Sequence, residues 1–167
     1  MPHHEKATFV PVNFAIVVTS DRRTPKTDLT GRSITKLLTA AGHKCASSDI
    51  VPNKTNLIRR VVKKLVSDKN IRLIITSGGT GCGQKDITIE SIRPFLTRQL
   101  EGFGELFRAL SYKEIGSRSF MSRALLGFTG GNKIIVCLPG SPNAVRLAMS
   151  KLVLPELNHI IWELSRT

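Results

Sequence analysis

Three short runs of apolar, largely β-branched residues punctuate the chain: Asn13 to Ser20 (NFAIVVTS), Ile71 to Thr76 (IRLIIT) and Ile134 to Leu138 (IIVCL). None alternates with polar positions, so each predicts a strand buried on both faces. Helical periodicity fills the gaps between them. From Thr30, the residues Ile34, Leu37, Leu38 and Ala41 recur at three- and four-residue steps, and Gly42 supplies a stop. A weaker strand is predicted around His43 to Val51. Asn53 to Asn56 then offer cap residues for a helix with Leu57, Ile58, Val61, Val62 and Leu65 on one face. Arg59, Arg60, Lys63 and Lys64 occupy its other face, which reads as solvated. A helix opens near Thr88 and is interrupted at Pro94. Further helical segments are predicted over Gly104 to Glu114 and around Met121 to Leu125. After the third apolar run, Ser141 can cap a helix that has Pro142 at its first position. Val145, Ala148, Met149 and Leu152 mark its buried stripe, and Leu157, Ile160, Ile161 and Leu164 mark another beyond Pro155.

Strands alternating with helices predict an α/β fold, a single three-layer α/β/α domain with a mostly parallel central sheet. The chain has 167 residues, 41% of them hydrophobic, which suits one full core. Residues 1–12 read as a flexible N-terminal segment and residues 13–167 as the domain. No uninterrupted apolar run reaches about 18 residues, and the first residues lack a secretory pattern, so a cytoplasmic location with no membrane association is expected. Cys45, Cys82 and Cys137 are odd in number and widely spaced, which fits neither a disulfide framework nor a metal knuckle.

Charge sharpens the functional question. Lys and Arg total 25 against 12 Asp and Glu, a formal +13 that attracts polyanions of any kind. A single-strand binder would interleave aromatics with those charges. Here the one comparable cluster, Phe103, Phe107 and Tyr112, has helical spacing and reads as core. Nucleic acid is therefore the weakest of the functional readings, resting on charge alone.

Ligands of open α/β sheets bind beyond the carboxyl ends of the strands. Three segments hold such positions: Thr19-Ser20-Asp21, Ser77 with the glycine run Gly78-Gly79-Thr80-Gly81-Cys82-Gly83, and Pro139-Gly140-Ser141-Pro142. Their small and hydrogen-bonding residues let backbone N–H groups approach a phosphate, and the helix start after Ser141 adds positive potential. The glycine run is neither a Walker A loop nor a dinucleotide fingerprint, because Gln84, Lys85 and Asp86 follow it. Asp21 and Asp86 are the carboxylates attached to these loops. Magnesium carried on substrate phosphates needs only one or two of them, which makes Asp86 a candidate metal ligand. Cys82 beside Lys85 has no His neighbour in sequence and reads as idle, and the four histidines lack metal-ligand spacing.

These motifs occur together with EGFGELFRALSYKEIG at Glu101 to Gly116, MSRAL at Met121 to Leu125 and LPGSPNAVRLA at Leu138 to Ala148. In this order the chain resembles the MoaB/MogA family of molybdenum cofactor biosynthesis, nearer the MoaB branch. The resemblance implies a molybdopterin-binding domain that adenylylates molybdopterin with Mg-ATP and releases pyrophosphate. It implies substrate-binding roles for Ser20, Ser77, Gly78, Gly79, Thr80, Gly81, Pro139, Gly140, Ser141 and Pro142, and anion contacts from Ser122 or Arg123. Asp86 and Asp21 take the catalytic places, with Asp86 also orienting metal or phosphate. Asn53 stands where active relatives usually carry an acid, so it is at most a weak metal ligand. The expected partners are molybdopterin, ATP with Mg2+, and further copies of the chain in a trimer or hexamer. No tightly bound organic cofactor is expected. Non-catalytic molybdopterin binding or assembly is the alternative function.

Overall fold

The computed structural model describes residues 8–166. Six strands form one sheet: β1 Asn13–Thr19, β2 Lys44–Val51, β3 Ile71–Ser77, β4 Arg98–Gln99, β5 Leu125–Phe128 and β6 Ile134–Leu138. Their order across the sheet is β2-β1-β3-β6-β5-β4. β2, β1, β3 and β6 run parallel, whereas β5 and β4 pair antiparallel at one edge. The helices are α1 Leu29–Ala40, α2 Thr55–Ser67, α3 Thr88–Ile92, α4 Glu101–Ile115, α5 Pro142–Ala148 and α6 Leu154–Ser165.

The continuous apolar runs have a direct cause, since the central strands are covered on both faces. Phe14, Ile16, Val18, Leu73, Ile75, Val136 and Leu138 meet α1, α4, α5 and α6 on one face. Ala15, Val17, Ile74, Ile135 and Cys137 meet Ile58, Val62 and Leu65 of α2 and Ile89 and Ile92 of α3 on the other. Each Val, Leu, Ile or Phe side chain among them contributes roughly 1.5–3 kcal/mol by burial from water before entropy is counted. The layering has a functional consequence. β1 and β6 lead to helices on the first face and β3 to a helix on the second, so their loops diverge and leave a crevice at the carboxyl edge.

Several local expectations change. The segment predicted as a helix around Met121 to Leu125 is a 3-10 turn, Gly116–Met121, followed by β5. All four residues of β5 are buried, so its sequence carries no periodicity, and Gly127 lets the Arg98 carbonyl pass 2.8 Å from where a Cβ would stand. Phe103 and Phe107 are core residues as expected, but Tyr112 is 62% exposed. α2 begins after Lys54, whose side chain has no oxygen to cap the helix, while the Asn53 N–H donates to Asp21 Oδ1. From α5 the chain passes through a π turn, Met149–Val153, into α6, where Pro155 lacks the N–H that a continuous α-helix would use.

Residues 1–7 lie outside the described residues. Residues 8–12 are tethered: the Val10 N–H donates to Asn158 Oδ1 and the Val12 N–H to His43 Nδ1, both at 3.3 Å. Among the described residues no helix is long and apolar enough to cross a membrane.

Candidate functional site

The parallel register aligns the three loop-bearing strands, with Val18 opposite Ser77 and Ser77 opposite Leu138. Their loops are then fastened to one another. The Gly78 N–H donates to the Leu138 carbonyl at 3.0 Å, and the Ser77 hydroxyl donates to the Pro139 carbonyl at 3.1 Å. Thr19 Oγ1 lies 2.9 Å from Thr88 Oγ1, and the Thr88 N–H donates to the Gly79 carbonyl at 3.0 Å. Gly78 and Gly79 have φ of +101° and +62°, which L side chains rarely adopt. A Cβ on Gly78 would also sit 2.4 Å from the Thr19 carbonyl oxygen, so the crossing of these two loops requires glycine.

The glycine loop is held from the far side by Arg123. Its Nε donates to the Gly81 carbonyl at 2.8 Å and its Nη2 to the Asp86 carbonyl at 2.6 Å, while its Nη1 pairs with Glu90. The Arg123 N–H donates to the Thr80 carbonyl at 2.9 Å. Burial works to raise the Glu90 pKa, but the hydrogen bonds and charge of Arg123 outweigh it and hold the carboxyl below its ordinary value. Asp86 folds back on the same loop, Oδ2 accepting the Gly83 N–H at 2.9 Å.

The remaining loops close the ring. Ser20 Oγ accepts the N–H groups of Arg22 and Arg23 at 3.2 and 3.1 Å, shaping the turn after β1. Arg23 then reaches the Thr30 hydroxyl and the Gly140 carbonyl, with buried Asp28 at 3.7 Å as its counter-charge. Ser141 caps α5 by accepting the Ala144 N–H at 3.1 Å, with Pro142 at the first helical position. Asp21 Oδ1 accepts the Asn53 N–H at 2.9 Å. That bond, with the Asn53 side-chain amide and the charges of Lys85 and Lys54, holds the Asp21 carboxyl below its ordinary value against a smaller cost of burial.

A cleft of about 280 Å³ opens within this ring, with Gly79, Thr80, Gly81 and Asp86 on one wall and Pro139, Gly140 and Ser141 on another. Phe107, Ser111, Ser119 and Ser122 supply the third wall. Eight of the residues singled out from sequence therefore meet at one opening: Gly79, Thr80, Gly81, Asp86, Ser122, Pro139, Gly140 and Ser141. Ser77 and Gly78 are buried in the strand-end bonds just described, and the Arg123 guanidinium is spent on loop carbonyls and Glu90. Ser20, Asp21 and Asn53 shape the neighbouring turns. A larger recess of about 640 Å³ lies between α1 and β2, lined by Arg32, Lys36 and Asp49 among others, but of the strand-end loops it reaches only Pro25 and Asp28 after β1 and neither the glycine run nor the loop before α5. The cleft is thus the better site.

Sequence reasoning missed Arg23, Thr88, Ser111 and Ser119. Arg23 had a faint signal, lying just past a strand end, whereas the others become neighbours only through tertiary packing. Among the described residues no cluster of three or more His, Cys, Asp or Glu could hold a metal. Cys82 is exposed, and burial pushes the Cys137 thiol up to about 12.

Comparison with known proteins identifies the family. A family model described as "Probable molybdopterin binding domain" matches residues 15–159. The molybdenum cofactor biosynthesis protein B of Bacillus cereus is 44% identical over 164 residues, covering 98% of this chain and 96% of that protein. The protein of the same name from Staphylococcus aureus is 46% identical over 158 residues, 93% of each chain. A crystal structure of a molybdenum cofactor biosynthesis protein B superposes with a TM-score of 0.90 at 44% identity, covering 95% of this chain and 98% of that one. The tungsten cofactor synthesizing protein MoaB from Pyrococcus furiosus gives 0.80 at 32%, covering 92% and 96%. With the family model, the sequence relatives and the superposed structures all in agreement, the chain belongs to the MoaB/MogA family of molybdenum cofactor biosynthesis proteins.

Proposed function

We propose that the protein adenylylates molybdopterin with Mg-ATP. The observation that carries this reading is the convergence of Gly79 to Gly81, Asp86 and Ser141 on one cleft lined by small and hydroxyl residues. A terminal phosphate oxygen of molybdopterin bonds to the α-phosphorus of ATP. The bond from that phosphorus to the bridging oxygen breaks, and pyrophosphate leaves with the electron pair. A phosphate nucleophile is already anionic near neutral pH, so the reaction needs no general base, which suits a cleft without histidine. The chain's own contribution is positioning and charge neutralisation by loop N–H groups on fixed strand ends.

Magnesium brought in on the nucleotide supplies further charge neutralisation at the phosphates. The residues present fit a hard cation held by few protein oxygens. Asp86 keeps Oδ1 outside its bond to Gly83, and Asn53 Oδ1 is buried with no hydrogen-bond partner. Asp86 would hold the ion, with Asn53 as the weaker contributor.

One observation favours a second reading. A neutral amide at Asn53 supports molybdopterin binding or assembly without efficient turnover. Incubation with molybdopterin and Mg-ATP separates the two: adenylylated product and pyrophosphate that vanish in Asp86→Ala support the enzyme, whereas tight molybdopterin binding without product supports the binder. Homo-oligomerisation, as a trimer or hexamer, belongs to the same proposal and is supported by exposed apolar side chains along α4 and the following turn. Leu106, Tyr112, Ile115 and Phe120 are 58%, 62%, 55% and 74% exposed. Light scattering on the purified protein gives the stoichiometry. Cytoplasmic location is part of this reading.

A further inference from the structure

A second polar pocket, about 280 Å³, lies across Ser122 from the cleft. Three arginines line it, Arg93, Arg108 and Arg123, together with Gln99, Glu101 and Ser122. Arg123 is accounted for by the loop carbonyls and Glu90. Arg93 shares the field of Glu90, whose carboxyl its charge helps hold below its ordinary value, whereas Arg108 is not accounted for.

Arg108 is half-buried and folds back over Gly104, where a Cβ would stand only 2.9 Å from its Nη1. Its guanidinium makes one hydrogen bond, to the Ser122 carbonyl at 3.4 Å, a long contact for a group with five donors. Among the described residues no carboxylate lies within 4.0 Å of Arg108 or Arg93. Glu101, the acid in the lining, accepts from Gln99 Nε2 at 3.0 Å. Arg23, by contrast, is also half-buried and has Asp28 as its counter-charge. A partly desolvated guanidinium with unused donors is costly unless an anion completes it. Its planar fork matches the oxygens of a phosphoryl group, and Arg93 on a separate element supplies a second charge toward the same volume.

We propose that the Arg93–Arg108 pocket is an anion site, distinct from the cleft, that takes a phosphoryl group of a small ligand. The pocket's lining is dominated by charged and amide side chains rather than by the apolar surface that holds the body of a larger ligand. It suits a single phosphate or the phosphorylated end of something larger. Ser122 borders both openings, so occupancy here braces the wall that the cleft shares. The proposal does not depend on adenylyl transfer and stands or fails separately from it.

Inorganic phosphate is the probe, titrated into 15N-labelled protein at fixed ionic strength while amide shifts are followed. Saturable shifts are expected at Gln99, Gly104 and Ala124, whether or not Gly79 to Gly81 also respond. Arg108→Gln should weaken that binding about tenfold, the scale of losing a charge-assisted bond. Arg108→Lys should recover part of it. Arg93→Gln changes an exposed residue that the fold does not need, and should weaken binding several-fold, whereas Arg60→Gln on α2 should leave it unchanged. Undiminished phosphate binding in both Arg108→Gln and Arg93→Gln overturns the proposal. So do shifts confined to the glycine loop or spread along α2. Dissociation of an oligomer in Arg108→Gln, with no phosphate shifts in the native protein, also overturns it by assigning the guanidinium to an acid of a second copy.

Discussion

Alanine at Gly78 tests whether the crossing of the β1 and β3 loops sets the shape of the site. The native φ of +101° imposes a strain of roughly 1–3 kcal/mol on any L side chain. The added Cβ would also lie 2.4 Å from the Thr19 carbonyl oxygen, which is backbone and cannot swing aside as a flexible side chain would. Forcing these groups apart costs about 1–3 kcal/mol more, by analogy with overpacking in cores. The lower bounds together give about 2 kcal/mol, or a fall in Tm of roughly 4–8 °C for a domain of this size. Gly102→Ala is the control. Nothing lies within 4 Å of a Cβ there, and the residue sits in the first turn of α4. That substitution should be neutral or stabilising by up to about 1 kcal/mol. Equilibrium urea unfolding of both variants reads the difference, and amide shifts of Gly79 to Gly81 report the displaced loop. A Gly78→Ala protein within about 0.5 kcal/mol of the native chain, a change typical of innocuous surface sites, would refute the reasoning.

Arg123→Met leaves the carbonyls of Gly81 and Asp86 and the carboxylate of Glu90 without their partner, so it should cost about 1–3 kcal/mol and raise the Glu90 pKa. Urea unfolding and a carboxyl titration by NMR check both, and an unmoved Glu90 would mean that the ion pair is not formed in solution. His43 has its pKa lowered by burial from the usual 6.5, and its Nδ1 accepts the Val12 N–H. The unfolded chain therefore takes up the proton first, so this contribution to stability is present above the unfolded pKa and is lost as pH falls below it. Stability should drop between about pH 7 and 5, and His43→Asn should flatten that slope; equal slopes in the two proteins would count against it. Asn53→Asp sets a carboxylate beside Asp21 and gives a hard cation a second anionic ligand, so apparent Mg2+ affinity in the adenylylation assay should improve roughly tenfold. No change would show that residue 53 lies outside the metal's reach.

The parts of this fold that were legible in sequence were those in which burial on two faces left a continuous signature. β1, β3 and β6 are such runs, and the loops after them carry the glycine, serine and proline residues that mark strand ends. α2 was equally clear, since Ile58, Val62 and Leu65 are buried while its basic positions are exposed. The β4–β5 edge was hidden for a physical reason: two and four residues are too few to show a period, and Leu125 to Phe128 read equally well as helix. Tyr112, nine residues after Phe103, stands about half a turn round α4 from the buried Phe103 and Phe107 and so faces outward. At the site, the wall residues with local signals were foreseen. The guanidinium groups of Arg23 and Arg123 act through carbonyls 117 and 42 residues away, contacts that only the assembled fold creates.

If molybdopterin binds in the cleft among the three strand-end loops, the amides of that cleft must report it. Anaerobic titration of 15N-labelled protein with molybdopterin tests it most directly. Saturable amide shifts are expected at Gly79, Thr80, Gly81 and Ser141, with Arg32, Lys36 and Asp49 of the larger recess unmoved. Shifts that fall on the recess between α1 and β2 and leave the glycine loop unchanged would contradict it.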